Sequence, residues 1–154
     1  MRHRHLRDGP ALLHIGPDGP DGPTDFEDAE GGAGLAVPLE IAASYRARTR
    51  GLLGRDGIDG ALLLTPAASV HTFRMRFAID VAYLGRAFEV LAVTTMPPGR
   101  LGLPRLRARH VLEAEAGALA RWGVRPGSRL GITLVRADRT GPPQGPGQGP
   151  RGAR

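Results

Sequence analysis

His71 and Asp80 are the two side chains of this sequence whose types and proximity could do chemistry together. An imidazole positioned by a carboxylate can act as a general base or contribute to a metal site. Contact between them requires the chain to double back between Thr72 and Ile79. The competing reading is structural: Asp80 accepts backbone N–H bonds or pairs with Arg48 or Arg55, and His71 satisfies a buried polar group. These two residues are the catalytic candidates. Arg48, Arg55, His71, Phe73, Met75, Asp80, Arg105 and Arg107 are the ligand-binding candidates, with Met75 weighed also as core filler. Glu113 reads as scaffold, paired with an arginine across a sheet. No serine stands in a nucleophile elbow, no glycine loop that could cradle phosphate precedes a helix, and no dense ligand motif is present. No metal site is assigned, and no particular cofactor is indicated.

The elements that must position these residues are short. Leu35 to Ile41 is an apolar run with Pro38 inside it, which predicts an edge strand. Ser44 caps a short helix carrying Arg46, Arg48 and Arg50, with Gly54 placed to end it. Ala61 to Leu64 reads as a buried strand closed by Pro66. From Ala78 to Leu84 a strand sets Ile79, Val81 and Tyr83 on one face and Asp80, Ala82 and Leu84 on the other. After a turn at Gly85-Arg86 it returns antiparallel as Phe88 to Thr95, and the pair is expected in the middle of a sheet. The connection from Met96 to Arg109 is long, basic and rich in proline and glycine, the pattern of a binding loop. A strand from His110 to Glu115, a short helix from Gly117 to Trp122 and a last strand from Gly131 to Val135 complete the pattern. Short strands punctuated by Gly and Pro, with two short helices, predict one mainly β domain: a compact antiparallel sandwich or barrel-like fold.

The 154 residues suit a single domain with a real core. The folded unit is placed at residues 35–135. Residues 1–34 and 136–154, dominated by Gly, Pro and charge, bury too little apolar surface to offset their ordering entropy and are expected to be disordered. Cysteine is absent, which excludes disulfides, thiolate nucleophiles and Cys-based metal centres. No run reaches the roughly 18 apolar residues of a membrane span, and the basic start lacks the apolar core of a secretory signal. A soluble, cytoplasmic protein is the default expectation. The net charge of +6 comes from 21 basic residues, all arginine, against 15 acidic ones. Heavy use of Arg, Gly, Ala and Pro is a bias that a GC-rich genome would produce unaided, so charge alone makes a weak case for nucleic acid.

The motifs resemble the DUF192 family of small bacterial and archaeal proteins of unknown function. The resemblance runs through Arg48, Gly51, Leu52 and Arg55, Gly60 to Leu64, His71-Thr72-Phe73 with Met75, and Ile79-Asp80-Val81 with Tyr83-Leu84. It continues at Met96-Pro97-Pro98, Val111-Leu112-Glu113, Gly117, Gly123 and Pro126-Gly127. Arg74 stands where the family usually has glycine, and Ala78 where it usually has proline. If that glycine serves a positive φ, Arg74 alters the local geometry. The resemblance implies a compact β-rich, jelly-roll-like fold and no established activity.

Two functions from different classes follow. The preferred one is a non-catalytic module binding a small anionic ligand or an acidic partner segment, in a pocket beside His71, Phe73, Met75 and Asp80 under the 96–109 loop. The alternative is a hydrolase or lyase using His71 as base and Asp80 as orienter, with or without a metal. An accessory role in envelope or secretion machinery rests on family analogy alone.

Overall fold

The computed structural model describes residues 5–16 and 34–135. The expectations for 1–4, 17–33 and 136–154 lie outside these residues. Seven strands form one mixed sheet in the order β5-β4-β6-β3-β2-β1-β7. They are β1 (Gly9–Ile15), β2 (Leu35–Ala42), β3 (Ala61–Leu64), β4 (Ile79–Leu84), β5 (Val90–Met96), β6 (His110–Glu115) and β7 (Leu130–Leu134). Two short helices, α1 (Tyr45–Arg50) and α2 (Ala118–Arg121), complete the domain. The mainly β expectation holds, with one difference: β2 and β3 run parallel, while every other pair is antiparallel.

Alternation along the strands produces an apolar cluster on each face. Ala11, Leu13, Val37, Leu39, Leu63, Ala82 and Leu112 point to one side, where Leu119 of α2 joins them. Leu62, Leu64, Val81, Tyr83 and Val111 point to the other, covered by Leu52, Val70 and Met75. Strands β3 and β4 are buried at every position, so their sequences read as nearly continuous apolar runs. The sheet curls until its edges approach: an isolated bridge joins Glu89, just ahead of β5, to Arg129, just ahead of β7. A single bridge leaves the barrel unclosed.

Several expectations change. Residues 9–15, placed in a disordered segment, form β1, an internal strand paired with both β2 and β7. The cause is plain alternation: Ala11, Leu13 and Ile15 are buried, enough to offset ordering despite the neighbouring Gly and Pro. Asp8 secures its start by accepting from the Ala43 and Ser44 amides at 2.6 and 2.8 Å. β2 is not an edge strand, because Pro38 lies ahead of the part paired with β3, which begins at Leu39. Pro38 therefore interrupts no ladder on that side. Gly60 follows from the same approach: at φ +81 its backbone meets Pro38, and a Cβ there would run into the Pro38 carbonyl. The hairpin β4–β5 lies at one edge of the sheet rather than in its middle.

The helices follow their caps. Ser44 Oγ accepts from the Ala47 amide at 3.2 Å, and Gly51, at φ +45, stops α1. Asp80 caps α2 from another element, as described below.

Candidate functional site

Strand β6 is central to the sheet, and Glu113 sits at its midpoint opposite Leu62 of β3 and Val81 of β4. Its cross-strand neighbours are aliphatic, and it is only 3 % exposed. Among the described residues none donates it a hydrogen bond. Burial pushes its pKa up to about 7, because the charged form loses hydration without gaining a partner. The arginine pairing expected across the sheet is not formed, since Glu113 faces the apolar side of two aliphatic strands.

Above Glu113 lies a cavity of about 100 Å³ whose lining includes Arg48, Leu52, Val70, His71 and Met75. Helix α1 brings Arg48 there. Its Nη1 donates to the Pro66 carbonyl at 2.7 Å, which anchors the guanidinium, while its Nε–H is buried without an acceptor. His71 lies at the exposed rim, stacked on Phe73 with ring centroids 5.3 Å apart and bridged in strand fashion to Leu101. Met75 is buried and contributes to both cavity and core.

Asp80 is elsewhere. It faces the opposite side of the sheet from Glu113, as its cross-strand partners Thr95 and Ala114 show. Its Oδ1 accepts from Thr95 Oγ1 at 2.6 Å. Its Oδ2 accepts from the Gly117 and Leu119 amides at 2.9 and 3.2 Å. A His71–Asp80 dyad is thus not formed, and Asp80 is not part of the His71 pocket. The physical reason is the strand period: His71 approaches the face of Val81 and Tyr83, and Asp80 points the other way.

The remaining candidates divide. Arg48, His71 and Met75 come together. Arg55 instead pairs with Glu40 at 3.0 Å, lining a separate open groove beside β2. Arg105 lies over the Tyr83 ring, 5.0 Å from its centroid, and burial raises the Tyr83 pKa against the lowering effect of that guanidinium. Arg107 and Phe73 are exposed. Glu113 is one of two acids on β6, with Glu115, and the arginine partner expected for it is not formed; Thr72 is a further residue of consequence that sequence pattern does not single out. Thr72 is fully buried and holds the 97–109 segment. Its Oγ1 donates to the Pro97 carbonyl at 2.7 Å and accepts from the Arg100 amide at 2.8 Å, and its own amide donates to the Arg100 carbonyl at 2.7 Å.

The architecture is that of a small single-sheet β domain. Residues 27–132 match the DUF192 family, described as Uncharacterized ACR, and the chain belongs to that family. Among its relatives is a UPF0127 protein of Pyrococcus horikoshii, 34 % identical over 84 residues, a span of 51 % of this chain and 73 % of that one. A UPF0127 protein of Pyrococcus furiosus is 30 % identical over 104 residues, covering 64 % and 90 %. Two crystal structures share the fold. One, from Sinorhizobium meliloti and described as a candidate transcription regulator, superposes with a TM-score of 0.64 at 17 % identity, covering 82 % of this chain and 96 % of that one. The other, a protein of unknown function from Novosphingobium aromaticivorans, gives 0.53 at 18 % identity, covering 82 % and 86 %. Among the described residues no helix is long and apolar enough to cross a membrane.

Proposed function

We propose that the domain is a non-catalytic binding module for a small oxyanion, held in the cavity between Arg48 and Glu113 with His71 at its rim. The observation that carries this reading is the buried Arg48 Nε–H, which has no acceptor. A buried donor left unpaired costs about 1–3 kcal/mol, and a ligand oxygen there removes that cost. Glu113 supplies a second donor when protonated, the state that its raised pKa of about 7 favours in mildly acidic solution. With Arg48 and a protonated Glu113 lining one cavity, the ligand should be rich in acceptors. The cavity volume of about 100 Å³ limits it to a few heavy atoms.

Anion binding is then coupled to a proton on Glu113. Affinity should be level below the Glu113 pKa and fall by up to about tenfold per pH unit above it. Titration calorimetry with acetate and with sulfate, at about pH 6 and about pH 8, tests this. Arg48→Leu should abolish binding while leaving the protein folded. Glu113→Gln keeps an N–H donor and should retain binding while removing its pH dependence. Unchanged affinity in both variants would refute the placement.

A further inference from the structure

The 97–109 segment is built inside out. Its inward positions are small: Ala108 is buried, and Gly102 packs so closely that a Cβ would lie 2.7 Å from the Tyr83 hydroxyl and 2.9 Å from the Val70 carbonyl. Its large apolar side chains face solvent instead, with Leu101 66 %, Leu103 78 % and Leu106 91 % exposed. Phe73, 46 % exposed, stands beside them through its stack on His71 and the bridge from His71 to Leu101.

This exposure does not come from a loose loop. Besides the Thr72 bonds, the Gly99 amide donates to the Thr72 carbonyl, Gly102 to Val70 and Arg105 to Ala68, all at 2.7–2.8 Å. The segment is held in place with its leucines outward, where leaving each in water forfeits burial free energy.

The two segments that carry these side chains hold charge of one sign. Residues 66–79 and 97–109 contain Arg74, Arg76, Arg100, Arg105, Arg107 and Arg109 and no acid. Arg76 pairs with Asp56 at 2.9 Å, Arg105 covers Tyr83, and Arg109 donates to the Leu106 and Ala108 carbonyls. Arg74, Arg100 and Arg107 form no ion pair among the described residues.

We propose that this surface docks on an anionic lipid bilayer: Leu101, Leu103, Leu106 and Phe73 enter the acyl boundary, and Arg74, Arg100 and Arg107 meet lipid phosphates. Aliphatic side chains flanked by cations suit an interface whose apolar depth lies behind a negative surface. Leucine is under-represented among the hot spots of protein interfaces, and three of the four exposed apolar side chains here are leucines. This inference stands on the exposed loop and does not depend on the anion-site reading.

Flotation of the full chain with phosphatidylcholine vesicles, with and without about a quarter phosphatidylglycerol, tests it. Binding is expected only to the anionic vesicles. Each of Arg100→Gln and Arg107→Gln should weaken it about fivefold, as expected for one basic residue near a charged surface. The double variant Leu103→Asp with Leu106→Asp should abolish it, with the thermal transition of the free protein unchanged because both positions are exposed. No binding to anionic vesicles at low salt overturns the proposal. So does binding that survives the double leucine variant, since that is adsorption by charge alone. Capture by an acidic, apolar peptide in the absence of vesicle binding would reassign the surface to a protein partner and overturn it as well.

Discussion

Asp80 and Glu113 are carboxyl groups on neighbouring strands, each 3 % exposed, and the sheet treats them in opposite ways. On the side of Asp80, Thr95 and the start of α2 supply three donors. On the side of Glu113 there are aliphatic cross-strand neighbours and a small cavity lined also by Arg48 and His71, and among the described residues no hydrogen-bond donor reaches the carboxyl. Helix α2 is four residues long and has no side-chain cap of its own, so Asp80 serves as its cap from across the fold. Burial alone therefore does not decide what a carboxyl does. One is structural because its lone pairs are occupied, and the other is available because its own are not.

The largest test of this contrast is Asp80→Ala. It leaves the Gly117 and Leu119 amides and the Thr95 hydroxyl without their acceptor, and urea unfolding should show a loss of about 3–5 kcal/mol. Glu113→Gln should do the reverse. A folded-state pKa raised from 4.5 to about 7 means that the folded state binds more protons than the unfolded chain between those values. Stability due to Glu113 is therefore full below about 4.5 and declines as pH rises to about 7. The amide removes that decline, so the variant should gain on the order of 3 kcal/mol at pH 8 and little at pH 4. Unfolding curves of both proteins across this range check the sign, and equal slopes would mean that Glu113 has a partner. Thr72→Val sharpens the comparison with a third buried polar group, one satisfied in the manner of Asp80. It should cost about 1–3 kcal/mol and speed hydrogen exchange at the Arg100 amide, which loses its acceptor.

Much of the fold was legible because it is written in local periodicity. The two faces of β4 were assigned residue by residue, and Ser44 and Gly123 mark helix ends where capping chemistry places them. Arg74, standing where the family usually has glycine, adopts φ +59, so the turn keeps its left-handed geometry at a cost of roughly 1–2 kcal/mol. What escaped was long-range. Nothing near Glu113 in sequence shows that its cross-strand neighbours will be Leu62 and Val81. Nothing near Thr72 shows that the Pro97 and Arg100 backbone will meet its hydroxyl. The pairing of His71 with Asp80 failed for a related reason. Closeness along the chain suggested contact, but their segments approach opposite faces of the sheet.

The position of β1 has a consequence for how the chain assembles. Among the described residues β7 has one full strand partner, β1, with Leu12 opposite Thr133 and His14 Nε2 2.9 Å from Thr133 Oγ1. Among the described strands the last in sequence thus waits on the first, a closure that joins residues about 120 apart in the chain, such as Leu12 and Thr133. Such non-local pairing slows folding, because loop entropy is lost before contacts are gained. The family match begins at residue 27, beyond β1. A polypeptide cut to those bounds would lack Leu13 from its core, leave β7 without its strand partner and make β2 a bare edge, open to pairing with a neighbouring molecule.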